Sequence, residues 1–198
     1  TCSPGDTTKS GKEKFIGAKV GKAGHVHSAK VEQEVAAATG TEWEDDNKAY
    51  DVREEGRHAM EVKTFQNGGK NVISVHPDAL LRKVKHIKEN PTEVYHTVVL
   101  DDRDTFEGGK HAAKHSGHRV YYKRGSGRYN IRKMHKVDSI DQLRKLMDTP
   151  DKDLPKEARG GLPKGKALAK LKAQAESAHA SRLAKDREYK ARKKAGEV

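Results

Sequence analysis

The sequence predicts an α/β (α+β) domain, a mixed sheet with helices packed on it, set between basic arms. Three observations carry this prediction. Apolar residues recur at helical spacing around Val31 and again around Leu80. Short apolar or alternating runs lie between Val52 and Val75 and between Val94 and Leu100, as strands require. Both ends are poor in large apolar residues and rich in Lys, Gly or Ala, so the core belongs in the middle. The expected organisation is a flexible basic arm over 1–27, a core over 28–148, and a basic linker with a helical or disordered tail over 149–198.

Each element has a local reason. SAKVEQEVAAATG places Val31, Val35 and Ala38 on one helical face, with Ser28 as cap and Gly40 as stop. After a short segment around Trp43, AYDVREEGRHAMEVKTF reads as a β-hairpin, and QNGGKN as a turn. VISV, Val72 to Val75, is expected as the third strand. HPDALLRKVKHIKEN is a second helix, with Pro77 in its first turn and Leu80, Leu81, Val84 and Ile87 as its apolar face. EVYHTVVLDD is the most hydrophobic strand. RDTFEGGKHAAKHSG is expected as a loop. RVYYKRGSGRYNIRKM reads as a second hairpin around Gly125-Ser126-Gly127, and DSIDQLRKLM as a short helix capped by Asp138 or Ser139.

Composition narrows the function. Of 198 residues, 33% are hydrophobic and 35% charged, so arms outside one core are expected. The net charge of +12 points to an anionic partner, nucleic acid before a membrane surface. Residues 156–198 hold 13 Lys or Arg against 5 Asp or Glu and supply much of that charge. Cys2 is the single cysteine, which excludes an internal disulfide and a cysteine-based zinc finger. No run approaches the roughly 20 apolar residues that span a bilayer. The start has no signal-peptide stretch, and it opens on Thr1, as a processed or excised piece would.

The hairpin carries the chemistry. With a three-residue loop, Glu54-Glu55-Gly56, Asp51 pairs with Ala59, and Glu61 and Lys63 share its face. The opposite face then carries Tyr50, Val52, Met60 and Val62, with His58 joining them near the turn. Asp51 and Glu61 become diagonal neighbours roughly 7–8 Å apart at the backbone, with the small Ala59 leaving room. Two carboxylates and the carbonyl of Val62 can hold a hard divalent cation, Mg2+ or Mn2+. Such an ion screens a phosphodiester, acidifies its bound water and steadies the leaving oxygen. Lys63 can orient the water or neutralise phosphate charge. Glu32, Glu34, Glu42 and Glu44 are candidates for a further acid. The competing reading is a solvated hairpin face of alternating Glu and Lys.

Tyr50-Asp51 followed by Glu61-Val62-Lys63 resembles the PD-(D/E)xK nuclease superfamily, although the proline of that signature is missing. The resemblance implies a restriction-endonuclease-like αβββαβ core, Asp51, Glu61 and Lys63 as catalytic residues, a magnesium cofactor and DNA as the preferred substrate, with RNA possible. HAMEVKT, ISVHPDALLRKVKH, HTVVLDDRD and VYYKRGSGRYNIRKMHKV, over residues 58–137, also look like a domain attached to Mu-type phage head morphogenesis (minor head) proteins. That second resemblance implies a phage origin, and so a place in the cytoplasm or inside a phage particle.

Two rivals stand beside this reading. A metal-free RNase, as in toxin domains with a barnase-like fold, would use Glu61 as base, His76 or His96 as acid and Arg128 on the phosphate, with His58 also in the candidate site. A non-catalytic nucleic-acid-binding structural protein needs only the charges. For the nuclease and for both rivals, Tyr122, Lys123, Arg124 and Arg128 in YYKRGSGRY, and Arg82 and Lys83 on the second helix, are candidate nucleic-acid contacts. His111, His115 and His118 lack the partners of a zinc site and read as a polar loop.

Overall fold

A computed structural model describes residues 28–45, 49–65, 70–103 and 119–196. The expected arm over 1–27 and the segment KHAAKHSGH lie outside the described residues. The fold is mixed α+β, built on a six-stranded mixed sheet. In chain order the main-sheet strands are β1 (Glu42–Trp43), β2 (Val52–Glu54), β3 (His58–Phe65), β5 (Val94–Asp101), β6 (Arg119–Arg124) and β8 (His135–Val137). Within the sheet, neighbours follow the order β1-β2-β3-β5-β6-β8. All neighbours are antiparallel except β3 and β5, which run parallel from His58↔Val94 to Phe65↔Asp101. A second, two-stranded sheet pairs β4 (Val72–Ile73) with β7 (Tyr129–Asn130). The helices are α1 (28–39), α2 (Pro77–Glu89), α3 (Leu143–Asp148) and α4 (Gly165–Lys194).

One face of the sheet carries the main core. Val31 and Val35 of α1 and Leu143 and Met147 of α3 pack on Val52, Met60, Val62, Val98, Leu100, Val120 and Tyr122. These strand positions share parity, so they point the same way. The other face receives α2 and the small sheet, with Ala59, Tyr95 and Val99 buried beneath them. A parallel pair needs a crossover, and α2 provides it between β3 and β5. His76 caps α2 by accepting from Asp78 N–H (3.2 Å), and Ser139 caps the turn into α3 (Asp141 N, 3.1 Å).

Several expectations are corrected. VISV does not join the main sheet; its two strand residues pair with β7, and the third antiparallel strand before α2 is Glu42–Trp43. RVYYKRGSGRYNIRKM is not a hairpin. Its first arm, β6, lies between β5 and β8, while its second, β7, turns away to β4. Residues 149–164 are not a free linker, because Leu154 and Ala158 are buried in the main core. The tail beyond them is helical over Gly165–Lys194.

Candidate functional site

The hairpin turns on Glu55-Gly56-Arg57, one residue later than expected: its register is Val52↔Met60, Arg53↔Ala59 and Glu54↔His58. Arg57 N–H closes the turn on Glu54 O (3.0 Å), with Gly56 at φ 78° inside it. The carboxylate of Glu93, buried before β5, clamps this end. It accepts from Arg53 (2.6 Å), from Gly56 N–H (3.1 Å) and pairs with His86 (2.8 Å). Burial pushes Glu93 up, but Arg53 and His86 outweigh it and hold the carboxyl below its ordinary value.

The shifted register takes Asp51 away from Ala59 and sets it against the stretch Met60 to Val62 of β3. Asp51 N–H donates to Met60 O (2.9 Å), although Met60 already pairs with Val52. Two residues then face one, as in a β-bulge. The bulge breaks strict alternation, which corrects the expected face. Tyr50 does not join Val52, Met60 and Val62 but packs with Ala59 and Tyr95 on the other side. Ala59 is fully buried there and leaves no open space. The side chain of Asp51 turns along β3, where Oδ2 accepts from Val62 N–H (2.7 Å).

Glu61 points to the α2 side and is 4% exposed. Lys63 Nζ lies 2.8 Å from its Oε1, Lys83 Nζ lies 3.6 Å from the same oxygen, and Ser126 Oγ donates to Oε2 (3.2 Å). Lys83 also donates to Ala49 O (3.4 Å) and sits 5.6 Å from the centre of the Tyr95 ring. Tyr95 OH donates to the same carbonyl (2.6 Å). Lys63 keeps a half-exposed side chain, whereas Lys83 is buried.

Burial dominates the electrostatics, and the neighbouring charges come second. Burial pushes the Asp51 carboxyl up to about 7; the Val62 N–H opposes this, and the charges of Glu32 and Glu61 add to it. Burial pulls the Lys63 ammonium down, but Glu61 more than offsets it, with help from Asp51 and Glu32, and leaves it raised. Lys83 goes the other way: burial holds it below the ordinary lysine value despite Glu61. Tyr129 is pushed up to about 12 by burial and by Glu61. Glu32, on α1, is therefore the expected further acid that acts on this group; its Oε2 accepts from Trp43 Nε1 (2.8 Å). Glu44 accepts from Tyr50 OH (2.7 Å). Glu34 is half-buried on α1, and Glu42 is exposed on β1.

Other expected site residues fall elsewhere. His58 and Glu61 leave β3 on opposite faces. His58 is buried in a chain from Asp148 (2.9 Å) through His96 (2.9 Å) to Tyr122 (2.6 Å). Burial, then the neighbouring His58, holds His96 well below the ordinary histidine value. His76 is exposed at the start of α2. The RNase set His58, His76, Glu61 and Arg128 is therefore not assembled as one constellation. Tyr122 is fully buried, and Arg124 is buried on Asp151 (2.6 Å) and Leu146 O (2.9 Å), so neither is free to grip a nucleic acid. Lys123 lies over the Tyr129 ring, while Arg128 and Arg82 are exposed. Lys83, expected on the polar face of α2, is turned into the site instead.

Sequence reasoning missed Ser126 and the role of Lys83. Lys83 had a signal: it follows Leu80 by three and precedes Ile87 by four, at the edge of the buried face. Ser126 had none, since its position depends on where β6 pairs. Among the described residues, no group of three or more His, Cys, Asp or Glu side chains is arranged to hold a metal ion. No helix among them is long and apolar enough to cross a membrane. The chain matches no family model and no curated protein.

Proposed function

We propose that this chain is a divalent-metal-dependent nuclease that hydrolyses phosphodiester bonds, with DNA preferred to RNA. One observation carries the reading: Asp51 bonds the β3 backbone on either side of Glu61, at Met60 O and Val62 N–H, and Lys63 binds the Glu61 carboxylate at 2.8 Å. A second supports it. The order α1, three antiparallel strands, α2, and a strand parallel to the third is the order an αβββαβ nuclease core requires.

The residues fit Mg2+ or Mn2+. Magnesium is commonly held by one or two carboxylates and keeps several waters, so a three-residue cage is not needed. Asp51 is crowded by Glu32 and Glu61, and a cation would relieve that repulsion. Asp51 and Glu61, with the Val62 carbonyl, would hold the ion; when bound it supplies charge screening and an acidified water. Lys63, half-exposed and cationic, can shift from Glu61 to a phosphate oxygen and stabilise developing charge there. Lys83 remains beneath as a fixed counter-charge for Glu61, so the carboxylate is not left buried and unpaired when Lys63 moves. Ser126 fixes the other oxygen of Glu61.

The RNase alternative has less support, because His96 is buried with His58 and Tyr122 on the sheet face opposite Glu61, and His76 is exposed at the start of α2. Incubating the full chain with plasmid DNA and with RNA, with magnesium or with excess EDTA, tests the reading. Magnesium-dependent cleavage is expected. RNA cleavage that persists in EDTA, or no cleavage of either substrate, would contradict it.

A further inference from the structure

The longest helix is outside the site and barely packs. In α4, Leu171 and Ala175 are buried, and residues 179–196 are all exposed. Leu162, just before α4, packs on the same Tyr50, Ala59 and Tyr95 cluster as Ile87 near the end of α2, and Arg182 bonds Asp78 at its start (2.8 Å). The two helices therefore run antiparallel. The segment 183–194 continues past the start of α2 by about 18 Å, at about 1.5 Å per residue. The start of α2 lies at the end of the sheet where β3 finishes, the end toward which Lys63 lies from Glu61.

The chemistry of that projecting segment is unusual. It holds six Lys or Arg and two acids. Leu183 and Tyr189 are its exposed large apolar residues, and six positions apart on a helix they do not share a face. A helix polar all round does not bury itself in a core or in lipid, since both demand an apolar stripe. It is nonetheless built to stay helical. Ala, Lys, Arg and Glu dominate. Asp186 precedes Lys190, and Glu188 precedes Arg192, by four, acid first. Arg192, Lys193 and Lys194 fill the last turn, where the helix dipole favours cations.

We infer that the projecting half of α4 is a rigid arm that binds the phosphate backbone of a duplex nucleic acid beyond the cleavage site. This rests on the nuclease reading for the nature of the partner. Charge complementarity carries it: duplex DNA presents one phosphate per about 1.7 Å of axis, and each one neutralised releases a counterion. Through Arg182 and the packing of α4 on α2, the arm is anchored to the helix that carries Lys83. Its reach is thus fixed relative to Glu61, not spread as a flexible tail would be.

Binding of the full chain to a 30-base-pair DNA duplex, followed by fluorescence anisotropy in EDTA from 50 to 200 mM salt, tests this without cleavage. The full-length variant Lys185→Gln, Lys190→Gln, Lys193→Gln, Lys194→Gln is expected to bind more weakly. Its slope of log K against log salt should be shallower by about 3 to 4, or about 0.9 per lost contact. The variant Asp186→Asn, Glu188→Gln, which leaves every cation in place, should bind more tightly. Unchanged slope and affinity in both variants would overturn the inference. So would failure of the parent to bind the duplex, or tighter binding by the same cations to phosphatidylserine vesicles. Binding as expected with no cleavage in magnesium would instead fail only the nuclease reading.

Discussion

Asp51 and the two lysines around Glu61 show how single residues hold opposing tensions. The folded value for Asp51, about 7, lies above the ordinary 3.8. Its contribution to stability is therefore full below about pH 4 and lost as pH rises through 7, a loss of at most about 4 kcal/mol. Thermal unfolding should find Asp51→Asn close to the parent at pH 4 and more stable than it at pH 8. Magnesium at pH 8 should raise the melting temperature of the parent and leave that of Asp51→Asn unchanged. Lys83 is strained in the same sense, since burial disfavours its charge while Lys63 still pairs with Glu61. Lys83→Met should thus fold with a melting temperature equal to or above the parent's near pH 7, yet cleave at least about tenfold more slowly. Lys63→Met should lose more activity, about 100-fold or greater, because in the proposed mechanism its ammonium is the one that reaches the phosphate. A stable, fully active Lys83→Met would remove Lys83 from the account. The burial of Glu61 on the face opposite Met60 and Val62 was legible from period-two alternation. The bulge at Asp51 was not, because it depends on which carbonyl of β3 the Asp51 N–H finds.

At the scale of elements, the connection after β6 decides whether Ser126 reaches Glu61. Gly125 N–H donates to Tyr95 O (2.8 Å), and Thr97 Oγ1 donates to Gly125 O (2.7 Å), so the turn is stitched to β5. Gly125 has φ 83°, and a Cβ there would sit 2.4 Å from the Gly161 carbonyl. Gly125→Ala should cost more than about 2 kcal/mol in a denaturant titration, by left-handed strain plus a backbone clash. It should also lower cleavage beyond the loss of folded protein, since Ser126 would be displaced. A stability change under 0.5 kcal/mol would show that this close approach is not real. The glycine turn itself was readable in YYKRGSGRY. Its destination was not: alternation in RVYYKR is the same whether its neighbour is β7 or β8, and only long-range pairing distinguishes them. VISV failed for a similar reason. A short apolar run says that a strand forms but not which sheet edge accepts it.

For the whole molecule, the sheet separates the larger apolar core from the proposed site. The face under α1 and α3 holds the larger apolar core and the buried chain from Asp148 through His58 and His96 to Tyr122. The face under α2 holds Glu61, its lysines and Ser126. The order helix, strands, helix, strand was legible because each element has its own period and its own stop. The charge excess was legible as a tail, with a helix as one of its two expected forms, but its anchoring on α2 was not, since Leu171 and Ala175 are ordinary in an Ala- and Lys-rich run. The central claim is that Glu61, with Asp51, holds the metal that cleaves a phosphodiester. It is tested most directly by following magnesium-dependent cleavage of a labelled duplex by the parent and by Glu61→Gln, with both proteins shown to be folded by circular dichroism. Cleavage by the parent, and a fall of at least about 1000-fold in Glu61→Gln with duplex binding retained, is the predicted result. Equal cleavage by the two proteins, or none by the parent at any magnesium or manganese concentration, would contradict it.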